Sequence, residues 1–472
     1  MPIVTSIDYE KTGFRCGLEL HQQLEGRKLF CNCRTLNSDK NADIKFHRKL
    51  KAVIGESGDM DLAAEFEMSK NKKFVYECSS QDTCLVEFDD EPPHELNREA
   101  LEIAIKTALL LNASLVDEIQ FMRKIVIDGS NVSGFQRSAL IAMDGFIETS
   151  LGKVGIPTIC LEEEAAQKIR EANDFVEYRL DRMGIPLIEI ATDTGIKNPG
   201  HAKEVAGYIG MVFRSIEGVK RGLGTIRQDV NISINSGART EIKGFQDLRS
   251  IQKVIDYEVK RQLSLIEQGK QIQKEVRKAE QDLTTSFLRP LPGAARLYPE
   301  TDVLPVRVNK EHIERLRKQL PKLLVDKLDE FEKKFGLLEG MGKELIDTDF
   351  EYLANKNFGI EPIIIAKTLI NLPIEYKRKL NANDFEEVFS IYAQGKIAKE
   401  AITDLLGKKS MGEKINPKDF ASISEHEIEQ EIRILIKDKP GLNQSAYMGL
   451  IMSKFRGKID GKKVMEVLKR VI

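Results

Sequence analysis

No stretch of this 472-residue sequence approaches the roughly 18 uninterrupted apolar residues of a membrane-spanning helix, so no span is expected. The first ten residues, Met-Pro-Ile-Val-Thr-Ser-Ile-Asp-Tyr-Glu, lack the basic head and apolar run of a secretory signal. Cysteine is scarce. Six in so long a chain do not make a disulfide framework, and a reducing, cytoplasmic compartment is expected. Neither sign of charge dominates: 72 Lys and Arg against 74 Asp and Glu leave −2. That excludes a globally basic nucleic-acid coat while allowing a local basic patch. The sequence has no fixed-period repeat and no low-complexity tract. It also lacks a G-x-x-x-x-G-K-[ST] loop, and no G-x-G-x-x-G follows a strand pattern.

What is present is 41% hydrophobic, enough for ordinary cores, over a length that predicts about two to four domains. Residues 117–160 are rich in short β-patterned runs, and Asp144-Gly145 reads as a hairpin turn. Helical periodicity occupies 97–111, 200–216 and 251–268. The class is therefore α+β rather than regular βαβ alternation. After about residue 308 Lys/Glu/Leu-rich helical patterns take over. The Pro-rich stretch 290–305 reads as a hinge and Gly407–Gly412 as a second linker.

Four apolar strand patterns carry acidic or imidazole groups on their other face. Glu19 and His21 lie opposite Leu18 and Leu20, and their shared face predicts service to one ion. Glu162 and Glu164 share a face, and Glu189 stands among Leu187, Ile188 and Ile190. Asp229, Asn231 and Ser233 line one side of a fourth pattern. Alternating polar positions ordinarily face solvent. Glu189 fits that reading worst, because a carboxylate in so apolar a run is costly to bury unless paired or metal-bound. Such strands in one sheet would form a carboxylate surface suited to Mg²⁺, which prefers oxygen ligands and keeps waters and phosphates in its shell.

Arg221-Gly-Leu-Gly-Thr225 precedes a strand and reads as a tight turn, and Asp128–Gly134 reads as a polar loop. Cys31-x-Cys33 and Cys78-x₅-Cys84 lack the two-residue spacing usual for zinc. A four-cysteine site joining Cys31, Cys33, Cys78 and Cys84 stays open.

A run of segments resembles the GatE-type subunits of archaeal glutamyl-tRNA(Gln) amidotransferases, relatives of the bacterial GatB type. They begin with Gly17-Leu-Glu-Leu-His-Gln-Gln-Leu24, Lys28-Leu-Phe-Cys-Asn-Cys33 and Phe88-Asp-Asp-Glu-Pro-Pro-His94. Met122–Arg137, Ile159-Cys-Leu-Glu-Glu-Glu-Ala165 and Gly184-Ile-Pro-Leu-Ile-Glu-Ile-Ala191 follow. Ile226-Arg-Gln-Asp-Val-Asn-Ile-Ser233 and Arg289–Asp302 complete a set that runs in order over residues 13–308.

The resemblance implies a mixed-sheet, cradle-like catalytic domain over 1–308, a helical domain over 309–407 and a helical tRNA-binding tail over 412–472. It implies ATP-dependent conversion of Glu-tRNA(Gln) to Gln-tRNA(Gln) through a γ-phosphoryl intermediate. Ammonia would come from an asparaginase-like partner of the GatD type, with the two chains paired into a heterotetramer. Carried over, the Mg²⁺ ligands and catalytic residues are Glu19, His21, Glu162 and Glu189, with Asp229 near a second ion. Arg123 and Lys124 fall on the reaction chamber or ammonia path, and Arg227, Lys243 and Arg296 on phosphates.

Two features depart from the family pattern. The insertion usual in the GatE type is absent near 270–284, where Glu275–Thr284 runs straight through. The bacterial Cys-Pro-x-Cys segment is replaced by Cys84-Leu-Val-Glu87, which weakens a zinc assignment. The tail, 451–472, has seven Lys and Arg against two Asp and Glu. Its Lys454, Arg456, Lys458, Lys462 and Lys463 are expected to meet tRNA phosphates. The alternatives are a bacterial GatB-type chain serving tRNA(Asn) as well, and a tRNA-binding scaffold without chemistry.

Overall fold

Within Arg15–Gln23, alternation over 18–22 buries Leu18 and Leu20 to 1% exposure or less and turns Glu19 and His21 the other way. That strand is central to the fold seen in a computed structural model of the chain. The structure describes residues 7–35, 42–54, 58–222, 224–245, 247–291, 293, 296–338, 340–345, 348–356, 358–377, 379–399, 401–413, 425–455 and 461–471. The chain divides into two units, 1–323 and 324–472.

The first unit is α+β. Its strands begin with β1 (Arg15–Gln23), β2 (Ile44–Arg48), β3 (Lys73–Cys78), β4 (Ser114–Leu115), β5 (Glu118–Ile119) and β6 (Phe121–Ile125). Next come β7 (Phe135–Thr149), β8 (Gly152–Glu163), β9 (Gln167–Glu171), β10 (Phe175–Arg179), β11 (Pro186–Ala191) and β12 (Ile226–Ser233). The last are β13 (Thr240–Phe245), β14 (Glu275–Ala279), β15 (Thr285–Pro290), β16 (Leu297–Pro299) and β17 (Val306–Arg307). One 11-stranded sheet runs β15-β14-β13-β12-β1-β11-β8-β7-β6-β16, with β4 added on β7. Its pairs are antiparallel except β13 with β14, which α4 connects. A smaller sheet runs β2-β3-β10-β9 over a core of Phe74, Tyr76, Tyr178 and Leu180.

The helices of this unit are α1 (Leu62–Ser69), α2 (Arg98–Leu110), α3 (Pro199–Ser215), α4 (Leu248–Glu267) and α5 (Lys310–Lys318). Their starts are written in the sequence. Asn97, Asn198 and Asp247 cap α2, α3 and α4 by accepting backbone N–H bonds, and Pro199 occupies the first turn of α3. α5 belongs with this unit, where Arg315 and His312 reach Glu102 of α2.

Three local expectations are corrected. Asp144-Gly145 is no turn: β7 continues to Thr149 and reverses at Ser150-Leu151. Asp144 takes φ +56° there, and the kink lets the Phe146 amide bond the Leu111 carbonyl at the end of α2. Among its described residues the stretch 290–305 is built into the sheet and forms no hinge, since β16 joins β6 and Glu300 is buried against Arg137 and Arg123. Gly407 sits inside a helix, with Ile402, Leu405 and Leu406 as its buried face. Gly222 and Gly224 take positive φ before β12, and the Thr225 hydroxyl donates to the Gly222 carbonyl at 2.8 Å; Leu223, inside the expected turn, lies outside the described residues.

The second unit is helical: α6 (Leu324–Phe335), α7 (Met341–Leu345), α8 (Phe350–Asn355), α9 (Pro362–Asn371), α10 (Ile374–Lys377), α11 (Ala382–Ala393), α12 (Ala401–Ser410), α13 (Glu425–Asp438), α14 (Gln444–Lys454) and α15 (Gly461–Val471). Helices α6–α12 share one apolar core built on Phe350, Phe385, Phe389 and Leu405. Helices α13–α15 share another built on Ile428, Ile451 and Leu468. Among the described residues no helix is long and apolar enough to cross a membrane.

Candidate functional site

Antiparallel pairing puts directly opposite residues on one sheet face, so a row of polar side chains accumulates across adjacent strands. Asn231 of β12 faces Glu241 of β13, and Asp229 faces Glu19 of β1. His21 faces Glu189 of β11, Glu162 of β8 faces Ser138 of β7, and Gln136 faces Lys124 of β6. The row lines a cleft of about 940 Å³.

Two clusters form in it. His21, Glu162 and Glu189 each offer a ligand atom, all within 4.8 Å of one another, and so do Glu19, Asp229 and Glu241. Glu19 and His21 therefore share a strand face but serve different clusters. Alternation predicts the face; the neighbouring strands decide the partners. Glu241 escaped the sequence reading because Thr240–Phe245 carries no distinctive motif, and the β12–β13 register shift between Gln228 and Val230 aims it. The donor chemistry of both clusters, carboxylate oxygens with one imidazole, fits Mg²⁺.

Each cluster is held by neutral donors and one lysine. His21 Nε2 lies 3.1 Å from Glu189 Oε2. Gln136 donates to Glu162 at 3.1 Å and Ser138 donates to its other oxygen. Lys124 Nζ is 3.1 Å from Glu162 and 3.7 Å from Glu189. In the second cluster Asn231 donates to Glu19 at 2.9 Å, and Lys243 Nζ lies 2.6 Å from Asp229 and 2.5 Å from Glu241.

The charges are unequal. Burial and the charge of Glu189 push the Glu162 carboxyl above the usual range. Burial acts likewise on Glu189, but Lys124 and His21 outweigh it and hold Glu189 well below. Burial opposes charging of His21, and its bond to Glu189 overcomes that and raises it. Burial, then Glu241 and Glu189, raise Glu19.

Cations line the same cleft. Arg227 is engaged by Glu164 at 2.8 Å, and Arg239 donates to Asn231. Arg296 donates to the Ile125 carbonyl, and burial and Arg289 depress its pKa. Among the described residues neither Arg289 nor Arg296 has a carboxylate within ion-pair distance. Arg239 and Arg289 were missed in the sequence, where isolated arginines carry no signal. Arg123 is absent from the cleft lining: it pairs with Glu300 and Asp302 and lies over the rings of Phe135 and Tyr298. The strand period sends Arg123 and Lys124 to opposite faces.

Elsewhere in the first unit, Cys31, Cys33 and Cys84 gather with Glu87, not with Cys78. Cys78 follows Phe74 and Tyr76 on the buried side of β3 and joins that core. Three thiols and a carboxylate within 4.8 Å suit zinc by their donor chemistry. Asp128–Gly134 is held by Tyr76 and Tyr178, whose hydroxyls donate to the carbonyls of Gly129 and Asp128. In the second unit Lys454 pairs with Glu431. Arg456 and Lys458, and the side chains of Lys462 and Lys463, lie outside the described residues.

A family model described as the GatB/GatE catalytic domain matches residues 14–314. The chain is 37% identical to the E-type subunit of glutamyl-tRNA(Gln) amidotransferase from Methanocaldococcus jannaschii, over 98% of this chain and 99% of that protein. It is 35% identical to the protein of the same name from Archaeoglobus fulgidus, over 99% of each. With that of Methanosarcina barkeri it shares 35%, over 98% of each. The first alignment spans 623 positions, 151 more than this chain has residues, so that relative carries residues with no counterpart here.

Proposed function

The chain belongs to the GatB/GatE family, and from that premise we propose that it is the transamidating component of a glutamyl-tRNA(Gln) amidotransferase. In this reading the γ-carboxylate of glutamate on tRNA(Gln) attacks the γ-phosphorus of ATP. ADP leaves, and ammonia then displaces phosphate from the acyl phosphate to give the amide. One observation carries the reading: two carboxylate clusters and a set of arginines share a single cleft.

An anionic nucleophile and a triphosphate repel, so the cleft must supply positive charge where they meet. Magnesium, where bound by these donors, would draw charge from the phosphate oxygens. Glu19 and Glu189 supply carboxylates held in place by Asn231 and His21. Ser138 and Gln136 fix both oxygens of Glu162, so its geometry needs no reorganisation during reaction. Arg239, Arg289 and Arg296 offer a cationic wall for the triphosphate.

Ammonia is proposed to come from an asparaginase-like partner, in a cytoplasmic heterotetramer. A structural zinc is proposed on Cys31, Cys33, Cys84 and Glu87. The basic tail is proposed to hold the tRNA body. ATP cleavage by the purified complex should depend on Glu-tRNA(Gln), and hydroxylamine should trap its activated carboxyl. Binding of Glu-tRNA(Gln) with neither ATP cleavage nor a trapped carboxyl would rule this function out and leave a scaffold.

A further inference from the structure

Each carboxylate cluster already encloses an ammonium group. Lys243 Nζ contacts Asp229 and Glu241, and Lys124 Nζ contacts Glu162 and Glu189. The lysines come from β13 and β6, at the two ends of the polar row, and reach inward from opposite sides. The three carboxylates of one cluster, and the two beside His21 in the other, lie within 4.8 Å and repel one another strongly away from bulk water. A cation among them offsets that repulsion. A divalent ion held by these carboxylates would compete with the ammonium groups that contact them.

The residue type bears on what happens next. Lysine is a compact charge on a flexible four-carbon stem and can swing aside; a forked guanidinium in the same place is harder to displace. Arg123 illustrates the contrast one residue from Lys124. It is fixed by Glu300 and Asp302 and packed over two aromatic rings. Lys124 and Lys243 keep 23% and 32% of their side chains exposed to the cleft.

We propose that Lys124 and Lys243 are resident counter-ions of the two clusters, displaced by divalent cations and then turned toward phosphoryl oxygens in the cleft. This rests on the reading that the clusters take divalent ions. It adds an order of events: the cation loads by exchange with an ammonium group, and each released ammonium is delivered beside the incoming phosphates.

The test uses the full chain with Mn²⁺ as probe. Bound Mn²⁺ is counted by electron paramagnetic resonance, and lysine acetylation is read by peptide mass spectrometry with exposed Lys274 as reference. Saturating Mn²⁺ should speed acetylation of Lys124 and Lys243 several-fold and leave Lys274 unchanged. Adding inorganic triphosphate should slow both again. Lys243→Met should lower the melting temperature in chelator, and Mn²⁺ should restore it. If Mn²⁺ binds and acetylation of the two lysines stays constant or slows, exchange is overturned while the metal reading stands. If wild type binds no more Mn²⁺ than Glu189→Gln and Asp229→Asn variants, the metal reading itself fails and takes the exchange with it. The acetylation measurement on wild type decides even if Lys243→Met does not fold.

Discussion

The two units bury different chemistry. Among the described residues, Ser410 is the only buried polar side chain of the second unit, whose cores are otherwise apolar. The first unit buries Lys28, Arg137, Glu162, Glu163, Glu164, Glu258 and Glu300. A buried charge costs several kcal/mol unless it is paired and hydrogen-bonded, and even a good pair rarely beats hydrocarbon of the same volume. The second unit is therefore built for stability. The first gives up stability for fixed charges, where perturbed carboxylates mark chemistry.

The sharpest way to break this contrast is Glu189→Gln. The amide keeps the shape and loses the charge that His21 and Lys124 hold. Transamidation should fall on the order of 10³-fold or more per folded molecule, with the folded fraction read from the melting profile. Retained phosphorylation of Glu-tRNA would remove the carboxylate clusters from the mechanism.

Glu19→Gln and His21→Asn test the division into two clusters. Each alone should abolish most turnover, since both clusters serve one cleft, and the double variant should be little worse. Mn²⁺ binding should separate them, each variant losing one ion and the double losing both. Loss of the same single ion by both would restore the one-ion reading of their shared strand face.

Leu405→Ala should do the reverse of Glu189→Gln. Leu405 is fully buried in the larger helical core, so truncation should cost about 2–5 kcal/mol in the unfolding of the second unit. The rate of phosphoryl transfer at saturating tRNA should hold. A proportionate loss of that rate would show that the helices take part in chemistry.

Glu300→Gln probes the buried charges on the back of the sheet. Burial alone would raise Glu300, but Arg123 and Arg137 bring it down to about 2 from 4.5. A depressed carboxyl stabilises the fold above its unfolded value and loses that contribution as pH falls from about 4.5 toward 2. The contribution is on the order of 3 kcal/mol. Acid unfolding of the first unit should therefore be less steep in Glu300→Gln, a difference visible by circular dichroism between pH 5 and roughly 2. Identical acid profiles would contradict the pairing.

The smallest effect is expected in the tail. Reversing Lys454, Arg456 and Lys458 to Glu should raise KM for Glu-tRNA(Gln) several-fold and lower the salt slope by about one unit per lost phosphate contact. ATP binding should be untouched. An unchanged salt slope would make the basic end a solvated surface.

Much of this was legible in one dimension. Alternation in Arg15–Gln23 and Ile226–Ser233 predicts which side chains leave the core, and helical periodicity over 97–111, 200–216 and 251–268 announces α2, α3 and α4. Five of the six cluster ligands stand in patterned strands for that reason. The rest depended on neighbours. Glu241 needed the β12–β13 pairing, Arg289 needed β15 brought to the cleft, and Glu87 replaced Cys78 because the turn after β3 carries Cys84 back to Cys31.

Faces and ends are local properties of the chain. Strand and helix periods decide which way a side chain points, and caps and prolines decide where an element starts, because both are set within a few residues of backbone. Company is a property of the assembled fold. Glu19 and His21 leave one strand on one face and reach different clusters, and Arg123 and Lys124, adjacent in the chain, meet Glu300 and Glu162 on opposite sides of the sheet. Charge pairing acts over a few ångströms in space, and strands as distant in sequence as β1 and β12 supply the partners.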